Sequence, residues 1–130
     1  QIAPENSLGM RFTTVYGPNA KPNMLIPRIL RNDVPYINTN HSRDFIHVSD
    51  IMSAIDILMT ENIRGVIDIG TGKTNKLVDI IDYFKIDCES KIGNDNERLD
   101  NRADITTLNR LGWKPQVDLY DYIKKNRMVN

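Results

Sequence analysis

Two short apolar runs, Met10–Val15 and Val66-Ile67-Asp68-Ile69, lead into glycine turns and are separated by stretches whose apolar residues recur at helical spacing. Strands that alternate with helices in this way predict an α/β class rather than an all-α one. The first run stops at Gly17-Pro18, a turn signal. Asn23 then stands where it can cap a helix whose apolar face is Leu25, Ile26, Ile29 and Leu30; Pro27 falls in its first turn, where a missing N–H costs little. Val34–Asn38 is a candidate short edge strand, with Pro35 counting against it. Asp50 is expected to cap the next helix, in which Ile51, Ala54, Ile55, Leu58 and Met59 recur to about Asn62. Beyond Gly70-Thr71-Gly72, Leu77, Ile80, Ile81 and Phe84 mark another. Asp104 caps one with Ile105, Leu108 and Leu111 inward and Gly112 at its end, and Asp118 caps a last helix through Lys125.

At 130 residues the chain can bury one core. Residues 1–130 read as a single unit without repeats, linkers or an internal boundary. Seventeen basic residues offset seventeen acidic ones, so no net field draws nucleic acid or an anionic membrane surface. No apolar run approaches the roughly 18 residues of a membrane span, and the N-terminus carries no charged-then-apolar signal pattern. Cys88 is the only cysteine, which excludes an internal disulfide and fits a reducing cytoplasm. Gln1 stands first where a Met would begin a gene, so the chain is expected to be a piece of a longer reading frame.

Three motifs occur in order: Gly9-Met10-Arg11-Phe12-Thr13-Thr14-Val15-Tyr16-Gly17-Pro18, then Arg43-Asp44-Phe45-Ile46-His47-Val48-Ser49-Asp50, then Leu111-Gly112-Trp113-Lys114-Pro115. Together they resemble the C-terminal part of the NAD-dependent epimerase/dehydratase family, the extended short-chain dehydrogenases acting on nucleotide sugars. The resemblance covers about residues 8 to 125. It implies the C-terminal part of a Rossmann-like doubly wound fold with a small substrate-binding subdomain. It also implies that the glycine-rich cofactor loop and catalytic Tyr/Lys pair lie upstream of this sequence.

Arg43 carries the planar fork of donors that suits a phosphate, and it follows a polar stretch, Asn38-Thr39-Asn40-His41-Ser42. The resemblance assigns it the pyrophosphate of the sugar nucleotide; the other reading pairs it with Asp44 or Asp50 to hold the loop. Asp44 and Asp50 themselves read as loop-bracing and capping residues. By the same resemblance Arg98 is the second diphosphate arginine, with Arg102 close enough to compete for the role but expected to matter little. Thr14 stands where many members carry Asn against the diphosphate. A hydroxyl there loses the amide's two-ended reach. Val15 matches a position whose backbone lies near the nicotinamide end of the cofactor. Asn23 and Leu25 resemble an N-x-L-x-P segment at the nucleotide end, and Tyr36 and Ile37 a short strand that cups the base.

Other patterns fail on inspection. Gly70-Thr71-Gly72-Lys73-Thr74 imitates the end of a phosphate-binding P-loop, but Ile67 stands where the first glycine is required, and Asn75 breaks G-x-G-x-x-G. Tyr120 and Lys124 have the Y-x-x-x-K spacing of the family's catalytic pair yet fall at the wrong end of the fold. His41, His47 and Cys88 lack metal-ligand spacing. No residue here is expected to be catalytic. The expected function is therefore the nucleotide-sugar-binding portion of an NAD(P)-dependent epimerase or dehydratase, inactive alone and binding NAD(P) weakly without the N-terminal Rossmann half. The expected state is self-associated, because strands cut from a sheet seek partners. A stand-alone, non-catalytic nucleotide-sugar-binding module is the alternative, and a P-loop protein a distant third.

Overall fold

The computed structural model describes residues 7–93 and 100–127. Along the chain run β1 (Leu8–Phe12), β2 (Thr14–Tyr16), α1 (Leu25–Leu30), β3 (Tyr36–Asn38), β4 (Ser42–Arg43), β5 (Phe45–His47), α2 (Val48–Thr60), β6 (Gly65–Ile69), β7 (Asn75–Lys76), α3 (Leu77–Phe84), β8 (Glu89–Lys91), α4 (Thr106–Arg110) and α5 (Leu119–Asn126).

The run expected as one strand, Met10–Val15, is two. Thr13 marks the break: its amide donates to the Ile69 carbonyl at 3.2 Å, and the next amide, that of Thr14, donates to the Asp44 carbonyl at 2.9 Å. β1 therefore pairs in parallel with β6, and β2 in parallel with β5. The apolar runs expected to look outside the chain for partners thus pair with each other. Among the described residues, β1 and β6 each keep one edge without a strand neighbour.

β5 divides the core by its period of two, since successive side chains on a strand face opposite ways. Phe45 joins Tyr16, Ile26, Ile29, Ile80 and Ile123, the cluster fed by α1, α3 and α5. Ile46 joins Ile51, Ala54, Leu58, Leu108 and Trp113, the cluster fed by α2 and α4 with the Trp113 loop. The β2–β5 ribbon is thus covered on both faces, as a parallel pair in an α/β fold must be.

The helix starts depart from expectation in instructive ways. Asn23 does not cap α1: Met24 occupies the capping position without a side-chain bond, and the Asn23 carbonyl accepts from Arg28 Nε at 3.1 Å. His47 rather than Asp50 caps α2, its Nδ1 accepting from the Ser49 amide at 3.0 Å. Asp50, buried in the first turn, accepts instead from the amides of Gln116 and Val117 at 2.9 and 3.1 Å. Asp118 caps α5 as expected, accepting from the Asp121 amide at 3.0 Å. Asp104 takes the first amide of α4, that of Thr106, at 3.1 Å. Gly112 closes α4 at φ +88°, a left-handed conformation that costs glycine little. The antiparallel pair β4–β7 and the strand β8 beside β3 span two or three residues each, too short to carry a pattern of their own.

Candidate functional site

Asp44 organises the site. Its side chain is fully buried, and a buried carboxylate is tolerable only when its oxygens are well hydrogen-bonded. Oδ1 accepts from the Thr71 amide at 2.9 Å and from the Thr71 hydroxyl at 2.7 Å. Oδ2 accepts from the Gly72 amide at 2.9 Å and the Ala103 amide at 3.1 Å. Its own amide donates to Asn101 Oδ1 at 2.6 Å. One residue thereby ties the Gly70–Gly72 turn and the segment 101–103 to the start of β5. Gly70 is required where these parts meet, because a Cβ there would lie 2.7 Å from Ala103, Asp44 and Thr13 at once.

This clamp also disposes of the P-loop likeness. The Thr71 and Gly72 amides that a phosphate would need are given to Asp44. Sequence reading had Asp44 bracing a loop, and it braces two.

Above the clamp opens a cavity of about 400 Å³ lined by Arg11, Thr13, Arg43, Asp68, Asn101 and Arg102, together with Phe12 and Ala103. Its lining residues carry three guanidinium groups against one carboxylate, and Arg102 is further paired with Asp100 at 3.8 Å. Arg11 is held by Asp68 through Nε at 2.8 Å. Arg43 Nη1 donates to the Ser42 carbonyl at 2.7 Å, and its Nη2 lies 3.3 Å from His41 Nδ1. The Asp44 and Asp50 carboxylates, named as its alternative partners, are taken up by the backbone amides already described. Arg102, expected to be a bystander, shares the cavity with Arg43 and reaches Thr74 Oγ1 at 3.3 Å. Arg98 lies outside the described residues.

Asn101 was missed by the sequence reading. Its Nδ2 donates to Thr14 Oγ1 at 2.9 Å, which leaves the Thr14 hydroxyl its own proton to donate. An amide therefore does stand beside position 14, carried by a residue from a distant segment. The only local hint was the polar run Asp100-Asn101-Arg102.

A second cavity of about 270 Å³ gathers Asn23, Leu25, Tyr36 and Ile37, four of the expected residues, with Arg28 and Asn38 on its rim. Ile37 is buried in the core, so it offers backbone, while Tyr36 is half exposed with Lys91 Nζ 4.1 Å from its ring centre. His41 Nδ1 lies 3.3 Å from Asn38 Nδ2 as well as from Arg43, so the two cavities share a polar bridge. Val15 is apart from both. It packs toward the second core beside Ile46.

Neither tyrosine of interest is primed as a base. Burial, then the Asp50 and Asp118 carboxylates, hold the Tyr16 phenol well above its usual range. Tyr120 is likewise raised by burial and by Asp79, and it meets Tyr83 edge to face with ring centres 4.7 Å apart. The Lys124 ammonium is engaged by Tyr83, which raises rather than lowers its pKa. A tyrosine acting as base needs its pKa lowered, the opposite of both shifts. No cluster of side chains fit for a metal ion occurs among the described residues, and no helix there is long and apolar enough to cross a membrane.

A sequence model of the NAD dependent epimerase/dehydratase family matches residues 6–70, half of the chain. The chain is 34% identical to a putative UDP-glucose 4-epimerase of Methanocaldococcus jannaschii, over 93% of this chain and 44% of that protein. It is 26% identical to the CDP-abequose synthase of Salmonella muenchen, over 91% of this chain and 46% of the relative. Among solved structures it superimposes on TunA, an NAD dependent NDP-hexosamine 5,6-dehydratase, with a TM-score of 0.77 and 25% identity, covering 95% of this chain and 44% of TunA. It also matches the UDP-glucuronic acid 4-epimerase of Bacillus cereus, solved with UDP-glucuronic acid and NAD, with a TM-score of 0.68 and 26% identity over 89% of this chain and 44% of that one. The chain spans less than half the length of each of these proteins.

Proposed function

This chain belongs to the NAD dependent epimerase/dehydratase family, and on that premise we propose that it forms the nucleotide-sugar-binding side of an NAD(P)-dependent epimerase or dehydratase. The observation that carries the reading is the convergence of Arg43, Arg102, Asn101 and Thr13 on one arginine-lined cavity, next to a second that gathers Asn23, Leu25 and Tyr36. The first suits a diphosphate: two guanidinium groups supply charge-assisted hydrogen bonds, and Asn101 adds a neutral polar group. The second suits a base, with an aromatic ring and backbone polar groups at its rim. Arg102 is placed to share the diphosphate with Arg43, while Arg98, to which the family resemblance gave that role, lies outside the described residues.

NAD(P) is the family's oxidant and hydride carrier. The Thr71 and Gly72 amides are taken by Asp44, which supports a cofactor site built chiefly from other parts of the fold. This chain's own part is to bind and orient the sugar nucleotide, with the cofactor held chiefly by residues outside this sequence.

Titration of UDP, dTDP and GDP into wild type, Arg43→Ala, Arg43→Lys and Arg102→Ala tests the reading. Hydrogen bonds to charged groups contribute about 1.5–3 kcal/mol, so Arg43→Ala should cost about 10- to 150-fold in affinity. Arg43→Lys should recover part of it, since an ammonium keeps the charge without the paired geometry. Arg102→Ala should also weaken binding. Equal binding by wild type and Arg43→Ala would reduce Arg43 to a loop brace and overturn the proposal.

A further inference from the structure

Resting on that reading of Arg43, we propose that His41 is a positioning residue that aims the Arg43 guanidinium into the diphosphate cavity. The imidazole is almost wholly buried, in the turn between β3 and β4. The main chain on either side is fixed: the His41 amide donates to the Asn38 carbonyl at 3.2 Å, and its carbonyl accepts from the Leu77 amide at 3.0 Å. Gly93 lies so close to the ring that a side chain there would collide with it. The ring is thus wedged with Nδ1 toward Arg43.

The hydrogen-bond roles follow from chemistry. Arginine has only donors, so the Nδ1 atom 3.3 Å from Arg43 Nη2 must present its lone pair. Asn38 Nδ2 lies 3.3 Å from the same atom, so the single lone pair is shared between two donors. With Nη1 bonded to the Ser42 carbonyl at 2.7 Å, the guanidinium is gripped on both terminal nitrogens. A flexible side chain loses rotamer freedom when it binds a ligand; a fork fixed beforehand has already given that up. A buried histidine that merely fills space would not need a lone pair at Nδ1, and this difference makes the role testable.

UDP is titrated by calorimetry into the full chain as wild type, His41→Asn, His41→Phe, His41→Leu, Arg43→Ala and the double variant of Arg43→Ala with His41→Phe. His41→Asn keeps an acceptor at the δ position and should bind within about 3-fold of wild type. His41→Phe and His41→Leu remove the lone pair while keeping apolar bulk and should weaken UDP about 10-fold; whichever of the two folds suffices. In the Arg43→Ala background His41→Phe should cost nothing more, because the residue acts through the arginine. A like loss from His41→Phe with or without Arg43 would overturn the proposal and leave a packing role. So would a His41→Asn as weak as His41→Phe. If wild type does not bind UDP, or Arg43→Ala binds as well as wild type, the diphosphate reading itself fails and this inference falls with it.

Discussion

His47 caps α2 through a ring nitrogen, and that choice ties the helix to pH. Nδ1 can accept the Ser49 amide only while it is unprotonated. Burial holds the pKa of His47 below its ordinary 6.5, against the opposing pull of Asp50. Because the folded value is the lower one, the unfolded chain takes up the proton first as the solution is acidified. The contribution to stability is complete above the ordinary imidazole value and is lost as pH falls through the folded one. The urea midpoint should therefore decline as the solution is acidified below the ordinary imidazole value. His47→Asn, a capping residue that does not titrate there, should flatten this part of the decline. An identical pH profile for the two proteins would mean that His47 contributes nothing to it.

α2 is locked to the following chain by two contacts that its own sequence does not announce. Asp50 receives the amides of Gln116 and Val117. Trp113, 2% exposed, donates from Nε1 to Ser53 Oγ at 2.9 Å. The Leu-Gly-Trp-Lys-Pro segment thus works as a latch: Gly112 turns the chain out of α4, Trp113 enters the second core, and the next residues dock on Asp50. Removing a buried indole leaves a cavity costing about 3–5 kcal/mol, and Trp113→Ala should lower the unfolding free energy by that much in urea. Trp113→Phe keeps most of the volume and should lose only about 1–2 kcal/mol, including the hydrogen bond. Equal losses in the two variants would show that the ring's volume is not what matters.

At the scale of the whole molecule, His41 links the two cavities through Asn38 and Arg43, while Asp44 takes the Thr71 and Gly72 amides of the glycine turn. The chain spans 44% of its M. jannaschii relative. It is expected to bind nucleoside diphosphates measurably and NADH poorly. Following NADH fluorescence should reveal no saturation at micromolar cofactor. Saturation there would place a dinucleotide site within these residues and contradict the proposed division of labour.

The local features were legible in the sequence because they depend on near neighbours. Helical spacing located α2 and α3, Asp118 announced the cap of α5, Gly112 the end of α4, and the Arg43–Asp50 motif an arginine that lines the first cavity. What only tertiary structure decided depends on partners far apart in the chain. Asp44 meets Asn101 and Ala103 across 57 and 59 positions, and Asp50 meets Val117 across 67. Thr13 splits an apolar run in two because neighbouring strands compete for successive amides. Arg102 reaches the cavity because Asp44 draws its segment inward. A carboxylate or an arginine has the same local signature whether it caps, clamps or binds. Its role is set by which buried donors or open cavity the folded chain brings within hydrogen-bonding distance.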